Sequence, residues 1–313
     1  MAYQTGVASG LADLISALQT FCAANGFTVG PSWAFSSGSG TTLTNWQVRS
    51  LVKNGVYFTM HYGVGGGSAY SRDVLLMNTS TAVSSSGDPT TQVGACPANC
   101  RTDMLGGPYV GYHFFSDGYG VNVVVEVVTN VFVHFNFGEL QKNGAWTGSQ
   151  YVMGTALYTR SGSGPYDLFN SYNFIPFFNG NIGDAFSDYG SLGGHIRTPI
   201  GDPTAYCRRA FTSTTSFWTP LADNHGRQLV DCSPNSQNGR SVIVPANALV
   251  ASSGQSGPFY QLGYVANAGA INITNLNPKE VVNTDWMVFP IQQKNGPSTN
   301  YINSQNYGLA YRK

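Results

Sequence analysis

Between Val121 and Phe137 the chain reads VNVVVEVVTNVFVHFNF, and this alternation constrains the fold more than any other stretch. The odd positions, Val121, Val123, Val125, Val127, Val131, Val133, Phe135 and Phe137, form an apolar row broken only by Thr129. The even positions mix Asn122, Val124, Glu126, Val128, Asn130, Phe132, His134 and Asn136. A period of two puts the rows on opposite faces of a sheet. The odd face is expected to be core, and the even face partly wet or laid against a neighbour that offers hydrogen bonds. Glu126 and His134 share the even face but would stand roughly 26 Å apart on a straight strand. They are therefore expected not to meet as a catalytic pair. The run is also long for one strand, so a bulge or bend near Thr129–Asn130 would divide it in two.

The remaining pattern is mostly β. Leu11, Leu14, Ile15, Leu18, Phe21 and Cys22 recur at helical spacing, with Gly26 as the stop. Thr44 and Gln47 fit a capping box for a second helix over 45–53, closed by Asn54–Gly55. Strands are expected at 56–63, paired with 74–80, and again at 241–250, 259–265 and 286–291. The Ser/Thr/Gly/Pro-rich segment 81–107 reads as a long loop, and 160–240 as a loop-rich insertion. The expected fold is mainly β: a β-sandwich-like core with a short N-terminal helical element in 1–55, long Gly/Ser/aromatic-rich loops, and one β-rich structural unit over 1–313. No composition break supports a second domain.

Charge narrows the partners. Lys plus Arg and Asp plus Glu are 15 each, and only 10% of the 313 residues are charged, against about 25% in ordinary domains. No global field attracts free nucleic acid. Few charges with abundant Tyr and Asn suit surfaces buried against neighbours, or a carbohydrate binder. The start MAYQTGVASGLADL lacks a basic region, so no secretory signal is expected, and no apolar run reaches membrane-spanning length.

The chemistry-bearing motifs are weak. GVGGGS at 63–68 lacks the lysine of a phosphate loop. SSGSG at 36–40 and SGSGP at 161–165 lack the helix a serine nucleophile elbow requires. No His-x-x-x-His pair occurs among His61, His113, His134, His195 and His225. CPANC at 96–100 has neither redox nor zinc-knuckle spacing, and reads as loop thiols. A local disulfide, or a metal site closed by His113 or by Cys207 and Cys232, is the alternative there. A glycosidase would need two acids about 5–9.5 Å apart in an aromatic cleft. Asp117, Glu126, Glu139, Asp167, Asp184 and Asp188 are the acids on offer, with Trp33, Trp146 and Trp218 as sugar platforms. No catalytic, cofactor or metal residue is assigned. Trp146, Tyr151 and Trp218 are the candidate glycan platforms or interface aromatics.

Three segments carry a resemblance. The opening MAYQTGVASGLADLISALQTFCAANGFTV, the middle FVHFNFGELQKNGAWTGSQYVMG and the end DWMVFPIQQKNG…NSQNYGLAYRK resemble structural proteins of tailed-bacteriophage virions, chiefly tail, baseplate or neck components. That resemblance implies a non-enzymatic virion subunit, assembled in the host cytoplasm, whose partners are copies of itself and other virion proteins. A receptor- or host-glycan-binding virion protein and a polysaccharide hydrolase are the alternative functions. Under the subunit reading, 81–107 and 160–240 are expected to carry the intersubunit contacts.

Overall fold

The computed structural model describes residues 1–37, 44–63, 74–96, 99–104, 106–141, 148–154, 194–197, 207–209, 217–218, 237–238, 240, 242–250, 260–290, 293–294 and 307–313. The fold is mainly β, with a sandwich-like core and one short helix near the N-terminus. The first strand, β1 (Ala2–Ala8), leads into the helix α1 (Leu11–Ala23). An N-terminal five-stranded sheet follows, in the order β2 (Thr28–Ser37), β3 (Thr44–Lys53), β4 (Val56–Gly63), β5 (Val74–Ser80), β6 (Cys100–Asp103). The middle sheet has seven strands, ordered β1, β7 (Tyr109–Ser116), β8 (Gly120–Val128), β9 (Val131–Glu139), β10 (Gln150–Met153), β11 (Gly194–Arg197), β12 (Cys207–Arg209). The C-terminal sheet has six: β13 (Phe217–Trp218), β14 (Val244–Val250), β15 (Tyr260–Asn272), then β18 (Tyr307–Arg312), β17 (Trp286–Pro290) and β16 (Val281–Val282). All the strand pairs among the described residues are antiparallel.

The middle sheet is the internal layer. Its odd face carries Phe114, Val121, Val123, Val125, Val127, Val131, Val133, Phe135 and Phe137 into one core with α1 and with Leu51, Phe58, Met60, Tyr62, Leu75 and Met77 of the N-terminal sheet. The six helix positions read from the sequence are all buried in that core, and Gly26 follows the helix at φ +86°. The even face is not wet. Asn122, Val124, Glu126, Phe132, His134 and Asn136 are all buried. Phe289 stacks edge-on against Phe132, and Tyr311 lies parallel to His134 at 5.9 Å, so the C-terminal sheet covers this side.

Two expectations about local structure fail. Residues 45–53 form β3 rather than a helix, because the segment is hydrogen-bonded on both sides, to β2 and β4. Asn54 (φ 50°) and Gly55 (φ 75°) are the left-handed pair that joins β3 to β4 as a tight hairpin, not a helix stop. The opening AYQTGVA is the edge strand β1, so 1–55 is helical only over Leu11–Ala23. The run 121–137 does divide at Thr129–Asn130. It turns sharply there, Asn130 at φ 64°, and folds back on itself with Val128 opposite Val131.

Candidate functional site

The β8–β9 hairpin brings Glu126 and His134 onto neighbouring positions. Glu126 pairs with Phe132 and Val124 with His134, so the two polar residues are diagonal neighbours, typically about 7–8 Å apart. The straight-strand separation is thereby overturned, yet each group has its own partners. His134 is fully buried; its Nε2 lies 2.8 Å from the Pro290 carbonyl and its Nδ1 2.8 Å from the Tyr311 hydroxyl. A carbonyl only accepts, so Nε2 carries the proton and Nδ1 accepts from the tyrosine. Glu126 takes the backbone N–H of Asn130 at 2.8 Å and faces Lys279 Nζ at 2.5 Å. Beside them, Tyr3 Oη is 2.9 Å from His113 Nδ1. Burial draws the His113 pKa down to about 4; Lys279 and Lys313 push the same way and Glu126 opposes. These groups clasp the middle sheet to the C-terminal one. A sealed imidazole with both nitrogens committed is a pin, not a base.

A second polar cluster joins the N-terminal and middle sheets. Lys53, at the end of β3, donates to the Gly118 carbonyl and stands over the Phe27 ring at 4.5 Å. Burial lowers its pKa, while Asp117 and Glu139 oppose that shift, so both carboxylates lie within its field. Of the acids considered for sugar hydrolysis that lie among the described residues, Asp117 and Glu139 are the two gathered around this cation. One oxygen of Asp117 and both of Glu139 are occupied structurally. Asp117 Oδ1 accepts from the N–H groups of Tyr119 and Gly120 at 2.9 Å each, and Glu139 accepts from Asn54 Nδ2 at 2.5 Å.

Tyr151 lies close by and is only 2% exposed. It sits opposite Gly138, and a Cβ on Gly120 would come within 2.5 Å of its hydroxyl. Gly120 thus makes room for the ring, which presents no face to a sugar. Trp218 belongs to β13, whereas Trp146, the loop from 64 and most of 160–240 lie outside the described residues.

The half-open aromatic surface lies elsewhere, on the outer face of the N-terminal sheet. Alternation on β2 and β3 puts Trp33, Phe35, Trp46 and Val48 on that side, with His61 on β4 opposite Val48. Phe35 and Trp46 stack at 6.2 Å with 14° between planes, and both meet the His61 ring edge-on. Both indole N–H groups are used within the chain, Trp33 on the Gly87 carbonyl and Trp46 on the Ser37 hydroxyl, each at 2.8 Å. What remains to offer a ligand is ring surface. His61 is buried, Nδ1 lacks a hydrogen-bond partner among the described residues, and desolvation lowers its pKa to about 4 against an opposing pull from Asp88. It is neutral at pH 7.

The loop 81–96 folds back on this sheet. Asn78 holds it by accepting from Cys96 N–H at 3.0 Å and donating to the Cys96 carbonyl at 2.9 Å, and Pro89 is buried. Cys100 instead points into the main core, where burial drives its thiol pKa far up. Phe114 and Phe115 are fully buried within the chain. Sequence reasoning missed the Phe35–Trp46 stack. Its signal was present as two aromatics flanking a Ser/Gly-rich run, the pattern that aromatic cross-strand partners leave in sequence.

No protein-family model matches the chain, and no curated protein matches it significantly.

Proposed function

We propose that the chain is a structural subunit of a tailed-phage virion, in the tail, baseplate or neck, acting through symmetric contacts with copies of itself and other virion proteins. The observation that supports this most is the surface. Val7, Val29, Val93, Val110, Val242 and Val281 stand exposed together with Tyr119, on a chain with only 10% charged residues. Scattered exposed valines are ordinary, but on so uncharged a surface they favour burial against neighbours. The titratable groups of the two clasps are consistent with that reading, since they hold sheets together. The virion assignment itself rests on the resemblance of the three segments, and a single unit over 1–313 assembled in the host cytoplasm goes with it. Mass spectrometry of purified particles tests it: the chain is expected in stoichiometric amount, and its absence would end the virion reading.

A second reading has one specific observation in its favour. The stacked, half-buried Phe35 and Trp46 rings have the geometry of a platform for the apolar face of a neutral sugar. Under this reading the chain is a glycan-binding virion protein. Calorimetry with host-surface glycans should then show binding that Trp46→Ala abolishes, and no heat with any glycan would reject it.

A further inference from the structure

The edges of the three sheets differ in how they are guarded. An edge strand exposes unpaired N–H and C=O groups, and proteins usually blunt it with charge, proline, a bulge or short length. Among the described residues, β6, β12, β13 and β16 have four, three, two and two residues. The long edge β2 contains Pro31 and shifts register between Val29 and Ser32. Among the described residues, only β1 is both long and unguarded. Its seven residues, AYQTGVA, include no charge and no proline. Where register shifts against β7, between Gly6 opposite Tyr112 and Ala8 opposite Tyr109, the extra residue belongs to β7. The outer rim of β1 therefore stays regular.

We infer that β1 is the docking edge for β1 of a second copy, the two strands pairing antiparallel about a two-fold axis through Thr5. The inference rests on the reading of the chain as an assembly subunit. A self-pairing centred on Thr5 sets Ala2 against Ala8, Gln4 against Gly6, and Tyr3 against Val7. Thr5 and Val7 are exposed, Val7 at 74% and its neighbour Val110 at 45%. The half-buried Tyr3 of the other copy would cover Val7, an aromatic–β-branched cross-strand pair of the favourable kind. The strand's own residues bring no charge to the axis. The middle sheet of each copy would continue into that of the other, an isologous contact of the kind that closes dimers.

Sedimentation equilibrium of the full chain tests this. Wild type is expected to dimerise. Thr5→Lys and Val7→Lys, both at exposed positions, are expected to weaken self-association about tenfold or more, the first by setting like charges across the axis and the second by replacing the valine that Tyr3 of the other copy would cover. Val29→Lys on β2 should leave the dimer unchanged, and circular dichroism should show all three variants folded. A monomeric wild type, a dimer indifferent to both β1 variants, or a dimer broken by Val29→Lys would overturn the inference. A monomer whose incorporation into particles is nevertheless lost in Thr5→Lys would assign the edge to a strand of another protein, and so also overturn it. Either failure leaves the virion reading standing if particles contain the wild-type chain, whereas absence from particles sinks that reading without touching the dimer.

Discussion

Replacing His134 with Phe tests whether the C-terminal sheet is pinned to the middle one. The ring volume is nearly kept, so the change isolates the two polar contacts from cavity formation. His134 is fully buried and reaches the Pro290 carbonyl and the Tyr311 hydroxyl at 2.8 Å each. Losing a buried hydrogen bond costs about 0.5–1.5 kcal/mol net, and depriving a buried group of that partner adds about 1–3 kcal/mol. His134→Phe should therefore destabilise by about 2–5 kcal/mol in urea titrations followed by circular dichroism. Tyr311→Phe removes one of the two bonds and should cost about 1–2 kcal/mol. Because the two variants share a bond, the double variant should cost about 1 kcal/mol less than the sum. Single costs below about 0.5 kcal/mol with strict additivity would refute the pin.

The buried histidine on the opposite flank should behave differently. His61 has Nδ1 unbonded among the described residues, so His61→Phe should be neutral or stabilising in the same titration, since an apolar isostere removes an unpaid desolvation. Acid should weaken the fold through His61 and His113, both held near pKa 4 by burial. Their unfolded value is about 6.5, so the unfolded state takes up protons first as pH falls. The contribution is whole above about pH 6.5 and is lost between there and pH 4, about 3 kcal/mol per histidine; thermal melts flat across that window would contradict it. Val125→Ala, deep in the main core, should cost about 1–3 kcal/mol by urea titration. Gly120→Ala would drive a Cβ to 2.5 Å from the Tyr151 hydroxyl and should cost about 1–3 kcal/mol, relieved in part by Tyr151→Phe.

The alternation over 121–137 made the apolar face legible, and Val123, Val125, Val127, Val131, Val133 and Phe135 are all core. It could not say what lies over the even face, because a polar residue facing water and one facing a partner's hydroxyl look alike in sequence. His134 is buried since Tyr311, 177 residues later, supplies its bond. The hairpin at Thr129–Asn130 was visible as a break, but the diagonal approach of Glu126 to His134 depended on register. Residues 45–53 were misread because a local capping pattern competes with strand pairing, and pairing on both sides won. The gathering of Asp117 and Glu139 around Lys53 joins three distant segments and leaves no local trace. The β1 strand escaped notice because an edge strand needs little amphipathic contrast.

The central claim, that this layered β fold is a repeated structural element of a virion, is tested most directly by a cryo-electron microscopy map of the assembled particle. The account predicts several symmetry-related copies, each with the β8–β9 hairpin held between two sheets and the exposed valines covered by neighbours. A map in which the chain is missing, or in which those surfaces all face solvent, would contradict it.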